Sequence, residues 1–170
     1  MSPVYAAAAM IALTSDELLH WVDHHTAAFR KLFAEHPEAL ALPCDVREGT
    51  TVAGLVQHVV AAELRYAERL AGRPETPYGA VPKDSAGALF AVHDRAIGLL
   101  RELASRPDFD GERVVDFPTR SAGVLRATRR TFWVHALMHC VRHFAQLATL
   151  LRQRGLPVDR GLDWLLADLR

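Results

Sequence analysis

The sequence predicts an all-α protein, a four-helix bundle, on two observations. Four long segments of roughly 20 residues repeat apolar side chains at the spacing of an amphipathic helix. Loops rich in Pro and Gly separate these segments. A chain of 170 residues is the size of one domain, so we expect residues 1–170 to form a single helical bundle.

The first two helices carry recognisable start and stop signals. The first begins after Thr14, which has capping-box spacing with Glu17, and ends near residues 36–37. The second begins after Thr51 and stops at Gly72, where a Pro/Gly-rich loop follows. Both segments are long enough to present one buried face to a neighbouring helix.

The second half of the chain contains two more helices and one irregular stretch. The third helix takes Asp84 or Ser85 as its N-cap and ends near Arg106. Residues 112–127 carry β-branched side chains on both sides of a turn, which predicts a short β-hairpin. The fourth helix spans about residues 128–154 and is closed by Gly and Pro.

Charge and cysteine usage narrow the range of functions. The 20 basic and 20 acidic residues balance, so no basic field favours nucleic acid, and we expect no nucleic-acid partner. Cys44 and Cys140 are predicted to be free thiols in a reducing compartment. Because the start lacks the basic residues of a secretory signal and no stretch has ~20 uninterrupted apolar residues, we expect a cytoplasmic protein without a membrane span.

Histidines are the most informative residues, and nine of them occur in the chain. His135, His139 and His143 follow one another at intervals of four on the fourth helix, so neighbouring pairs share a face and can reach one ion. His58 lies among apolar residues of the second helix and is the best further ligand. Spacing alone does not choose between His135 and His143 as the partner of His139.

Two other interpretations of the histidines stay open at this point. The same residues can be hydrogen-bonded core histidines without any metal. His20 and His24, with Asp23 beside them, form another pair at the same spacing. We favour a solvated helix face for that pair over a second ligand set.

Two stretches of the chain resemble the DinB-like superfamily. Residues 135–146 (HALMHCVRHFAQ) resemble that family's last-helix signature, two ligand histidines four apart followed by Arg-Gly-Gln, and residues 51–59 (TVAGLVQHV) resemble its first ligand helix. The similarity extends over residues ~14–155 and implies a bundle of DinB-like type. It also implies that His58, His139 and His143 bind one divalent metal, with zinc or nickel expected.

The sequence departs from that signature at one place. Phe144 and Ala145 stand where the family usually has Arg-Gly, and only Gln146 of the trio remains. We therefore expect a polar side chain to be lost near the last ligand. No ligand changes, so the resemblance still implies metal binding.

Three histidines leave at least one coordination position open, as in catalytic sites, where the ion lowers the pKa of a bound thiol or water. The resemblance includes transferases and isomerases that use thiols such as bacillithiol or mycothiol, and metal-dependent hydrolases. We expect transfer of a low-molecular-weight thiol to a small electrophile. The alternatives are hydrolysis and a non-catalytic, stress-associated metal-binding bundle. The resemblance and an apolar piece at residues 162–169 also predict a homodimer.

Weaker site candidates surround the three histidines. Gln146 can orient a ligand, and Arg65 lies seven residues after His58, where it faces an anionic substrate or remains a surface arginine. Glu63 and Tyr66 match family positions, and an interhelical hydrogen bond explains them equally well. Cys140 is expected to be a packed thiol because helix geometry turns it about 100° away from His139.

Overall fold

The computed structural model describes residues 13–46, 50–119, 122–159 and 162. Within them the chain forms the predicted four long helices with a two-stranded sheet before the last. The elements are α1 (Ser15–Glu35), α2 (Val52–Leu70), α3 (Ala86–Ser105), β1 (Val114–Pro118), β2 (Val124–Thr128) and α4 (Arg129–Gln153). Short 3-10 helices cover Pro37–Ala41 and Tyr78–Ala80.

The helices begin where the sequence places polar caps. The amide of Glu17 donates to the Thr14 hydroxyl at 3.2 Å, and the Glu17 carboxylate accepts from the Thr14 amide at 2.7 Å, which completes the predicted capping box. Of the two candidate caps for α3, Ser85 is the one used, since its hydroxyl accepts from the amide of Ala88 at 3.2 Å.

The bundle places α2 between α3 and α4, and α1 also packs against α3 and α4. A single apolar core fills the space between the helices, with Phe29 of α1 stacked on Phe144 of α4 at 4.7 Å between ring centroids. The direct packing of α2 on α4 matters most for function, because these two helices carry the histidines that the sequence analysis singles out.

The hairpin lies beside the end of α2 and leads directly into α4. Its strands pair antiparallel from Val114 opposite Thr128 to Pro118 opposite Val124. Phe117 is its buried anchor: the ring stacks on Phe132 of α4 at 4.2 Å. Through this contact the hairpin is held against the helices and contributes a wall to the site described below.

Two further predictions concern a membrane span and the amphipathic piece after the fourth helix. No helix in the described ranges is long and apolar enough to cross a membrane. The amphipathic piece predicted at residues 162–169 lies outside the described residues, apart from Leu162, which is buried.

Candidate metal centre

Three histidines converge where α2 faces α4. His58 comes from α2, while His139 and His143 come from successive turns of α4. One nitrogen from each ring can be chosen so that all three lie within 4.8 Å of one another. The ring centroids are 5.0 Å apart for His58–His139, 5.0 Å for His58–His143 and 4.5 Å for His139–His143. This grouping can hold one metal ion.

The tertiary structure also shows that His143, and not His135, joins His58 and His139 in this cluster, a choice that spacing alone left open. His135 lies outside the group of three, with its ring 5.7 Å from His139 and edge-on to Tyr66 at 5.2 Å. His20 and His24 do not belong to any cluster of three metal-binding side chains within the described parts of the chain.

The surroundings of His139 keep its ring neutral, as a metal ligand requires. Burial, followed by the neighbouring His143 and His58, lowers the pKa of His139 to about 2. The ring is therefore uncharged at neutral pH, the form in which imidazole binds metals. Its buried Nδ1 makes no hydrogen bond to any described residue. A buried nitrogen without such a bond, next to two further imidazoles, fits a divalent ion.

Hydrogen bonds define the protonation of His143. The Oε1 atom of Gln146 is an acceptor and lies 2.7 Å from Nδ1 of His143, so that nitrogen carries the proton. A guanidinium nitrogen of Arg142 donates to Nε2 at 3.1 Å. The ring is thus neutral, with its lone pair on Nε2, and an ion bound at that nitrogen would take the place of the hydrogen bond from Arg142.

A second group of metal-binding residue types lies deeper in the core. Donor atoms of Glu63, His93 and Cys140 also lie within 4.8 Å of one another. The Thr26 hydroxyl donates to the carbonyl of Val22 at 2.8 Å, so it accepts from Nε2 of His93 at 3.0 Å. Nδ1 of His93 bonds the Glu63 carboxylate at 2.8 Å. Both ring nitrogens are used, which makes this cluster an interhelical hydrogen-bond network.

The ionisation of this network follows from its burial. Burial opposes the charged form of His93, but the Glu63 carboxylate outweighs it and raises the pKa of His93. Burial, reinforced by Glu63, raises the pKa of the Cys140 thiol well above its ordinary value. Cys140 therefore stays protonated and packed, as the sequence analysis expects.

A cavity of about 240 Å³ opens beside the three histidines. His58, His135 and His139 line it, together with Phe117 and Leu125 of the hairpin. Polar side chains from α2, from the segment after it and from α4 complete this part of the lining. These residues are Arg65, Arg69, Glu75, Tyr78 and Arg142.

The weaker candidates divide into two groups. Tyr66 lines the cavity and stacks on Phe117 at 4.8 Å, and Arg65 lines it while its Nε donates to Glu75 at 3.0 Å. Gln146 contacts a histidine of the centre. Glu63 is fully buried and makes an interhelical hydrogen bond to His93.

Other residues at the site were not predicted. Arg142 is three residues after His139, and this helical spacing was the available signal for it. Arg69 is four residues after Arg65 and shares its face in the same way. Glu75 lies in a loop, and no periodic pattern connects it to the histidines.

Position 144, where the sequence departs from the family signature, lies in the core. Phe144 is fully buried and stacks on Phe29, so this side chain faces the core and not the cavity. The guanidinium beside the last histidine comes from Arg142, one residue before His143. Phe144 thus supplies no polar neighbour to His143, as expected, but Arg142 does.

Comparison with known proteins adds the family. The family model described as mycothiol-S-transferase matches residues 17–155, which run from the first helix to the end of the fourth and include all three histidines. No match was found among curated proteins. The arrangement of four helices, hairpin and histidine centre agrees with the DinB-like resemblance of the sequence. The chain belongs to the mycothiol-S-transferase family, a DinB-like family.

Proposed function

We propose that this protein is a metal-dependent thiol S-transferase that joins mycothiol to a small electrophile. The proposed ligands are His58, His139 and His143, and the proposed ion is zinc or nickel. The observation that carries the proposal is the meeting of these three imidazoles beside a cavity that two of them, His58 and His139, line, in a chain of this family.

The ion, when bound, would lower the pKa of the thiol so that thiolate is present near neutral pH. The protein's own residues supply the rest. The low pKa of His139 keeps that ring available as a ligand. Gln146 holds the proton of His143 on Nδ1 and thereby keeps Nε2 free of hydrogen.

The cavity supports a bimolecular reaction because its lining is both apolar and polar. Phe117 packs against Tyr66 and Phe132 and is covered by Arg69, so Leu125 is the more exposed apolar side chain for the body of an electrophile. The polar lining, with Arg65 bound to Glu75 at 2.8 Å, can accept the hydrophilic tail of the thiol. Holding both reactants in one place is the contribution expected of such a pocket.

The ligand assignment predicts metal stoichiometry. The purified protein should hold one divalent ion per chain, and His139→Ala should abolish binding because it removes one of only three proposed ligands. His135→Ala is the matched control: it removes a histidine one turn earlier on the same helix and should leave stoichiometry near one. Elemental analysis measures both. Loss of the metal in His135→Ala but not in His143→Ala would show the assignment to be wrong by one turn.

The catalytic proposal predicts metal-dependent conjugation. The wild-type protein should accelerate reaction of mycothiol with 4-(chloromethyl)benzamide above the uncatalysed rate. Removing the metal, or changing His58 to Ala, should return the rate to background, and His20→Ala, which changes an exposed histidine outside the cavity, should retain activity. Thioether formation is followed by mass spectrometry. Ester hydrolysis without thiol, inhibited by mycothiol, would point instead to a hydrolase, and metal binding with neither reaction would point to a structural ion.

A further inference from the structure

The charges that line the cavity do not balance. Three arginines, Arg65, Arg69 and Arg142, line it, and Glu75 is the single carboxylate among its described lining residues. Glu75 is already engaged: Arg65 bonds one of its oxygens at 2.8 Å, and Arg69 bonds the other. The cavity wall therefore carries excess positive charge before any ion is considered.

Arg142 is the source of that excess nearest the histidines. It is exposed on α4 and forms no salt bridge with any carboxylate in the described ranges. Its guanidinium lies 3.1 Å from Nε2 of His143. Burial of His135 is the larger cause of its lowered pKa, and the positive charge of Arg142 lowers that pKa further. An uncompensated guanidinium here is a ready receptor for an anion, because its planar donors match a carboxylate in two parallel hydrogen bonds.

The hairpin adds apolar surface to this lining. Phe117 is buried with the Arg69 guanidinium over its ring, and Leu125 presents an exposed side chain to the cavity. A molecule that suits both kinds of lining has an apolar body and one anionic group. A purely apolar molecule would displace water from Arg142 without offering it a hydrogen bond, which is unfavourable.

We propose that Arg142 binds a carboxylate of the electrophile, so that the preferred substrates are anionic molecules with an apolar body. The proposal rests on the proposed thiol transfer. It assigns to Arg142 a substrate-binding role that determines specificity.

The position of Arg142 suits this role. Reacting atoms must approach to about 3–3.5 Å, so the electrophilic carbon has to lie close to the histidine centre. Because the guanidinium lies next to that centre and would be released from Nε2 of His143 when an ion binds there, a carboxylate a few bonds from the reacting carbon can reach it. In the reaction the thiol sulfur bonds to the carbon while the bond from carbon to the leaving group breaks. The leaving group departs with the electron pair, and the thiol proton passes to solvent.

Matched electrophiles test the assignment kinetically. With chloride as the leaving group, 4-(chloromethyl)benzoate and 4-(chloromethyl)benzamide differ only in the anionic group. Wild-type protein should prefer the benzoate in kcat/KM, and Arg142→Gln should reduce that preference about tenfold, as expected for loss of a charge-assisted hydrogen bond. Arg142→Lys should restore part of it. Arg126→Gln removes an exposed hairpin arginine, 74% accessible and outside the cavity, and should keep the full preference.

A binding measurement keeps this inference separate from the catalytic proposal. Metal-loaded protein should bind inert 4-methylbenzoate more tightly than 4-methylbenzamide in calorimetry, and Arg142→Gln should weaken benzoate binding about tenfold. If Arg142→Gln raised the KM of the thiol instead, or bound benzoate as wild type does, the assignment to the electrophile would be overturned. Arg142-dependent benzoate binding without any turnover would support the anion site and overturn thiol transfer.

Discussion

A neutral imidazole has one lone pair, and the hydrogen bond at its other nitrogen determines which way that lone pair faces. At His143 this bond goes from Nδ1 to Gln146, one helical turn further along α4. Because the amide oxygen of Gln146 only accepts, it excludes the tautomer with hydrogen on Nε2. A single residue outside the histidine group thus prepares one histidine for metal binding.

Removal of Gln146 should therefore weaken metal binding without changing the ligands. We expect Gln146→Ala to raise the metal dissociation constant by about tenfold, the lower end of the range for residues that orient ligands. Competition with a chromogenic chelator measures this. Gln153→Ala removes an exposed glutamine from the last turn of the same helix and should leave the affinity unchanged. Equal affinities in the two variants would contradict the orienting role.

At the scale of elements, the buried Glu63–His93–Thr26 network joins α2, α3 and α1. Glu63 and His93 are almost completely inaccessible, so the charges compensate each other in a medium that solvates neither. The network is close along the chain to the histidine centre: Glu63 is five residues after His58 on α2, and Cys140, in the same cluster, follows His139 on α4. It therefore helps to hold α2 in the position from which His58 reaches α4.

Replacing one member of this network should lower the stability of the folded protein. Glu63→Gln leaves a buried His93 without its compensating carboxylate, and we expect it to lower the free energy of unfolding by about 3–5 kcal/mol. Urea denaturation measures the change. Glu102→Gln removes a carboxylate that is 56% accessible and paired with Arg73 at 3.7 Å, so it should cost far less, within about 1 kcal/mol. If Glu63→Gln lowered the free energy of unfolding by no more than Glu102→Gln does, Glu63 and His93 would not be a buried compensating pair.

At the scale of the whole molecule, buried groups give opposite pH dependences to folding. His139 has a lowered pKa, so its contribution to stability is present above the ordinary histidine pKa of 6.5 and is lost as pH falls toward about 2. His93 has a raised pKa, so its contribution is present below 6.5 and is lost as pH rises through its folded pKa. The raised pKa of Cys140 adds a further loss above about pH 9.

We therefore expect the metal-free protein to be most stable near pH 6.5 and to lose stability on both sides. His93→Gln should flatten the decline between pH 6.5 and 9, since the proton held by the folded state is no longer present. The measurement is the urea midpoint at several pH values in this range, and the slope of midpoint against pH is compared between the proteins. Arg126→Gln should keep the wild-type slope, and a wild-type protein with constant stability over this range would contradict the assignment.

The local pattern of the sequence determined most of the architecture. Helix periodicity and the polar caps at Thr14 and Ser85 are short-range features, so the four helices and their start points could be predicted without knowledge of packing. The hairpin was predictable for the same reason, from β-branched residues around a turn. The family resemblance also came from contiguous stretches, and the match to residues 17–155 agrees with it.

Only the tertiary structure decided which residues meet. His139 has a neighbour four residues away on either side, and the rotation of α4 against α2 brings His143 and not His135 to His58. The same rotation turns Phe144 into the core and Arg142 toward the cavity. Glu75 reaches the cavity through a loop. Helical spacing specifies which side chains share a face, whereas the direction of that face depends on packing between segments distant in sequence.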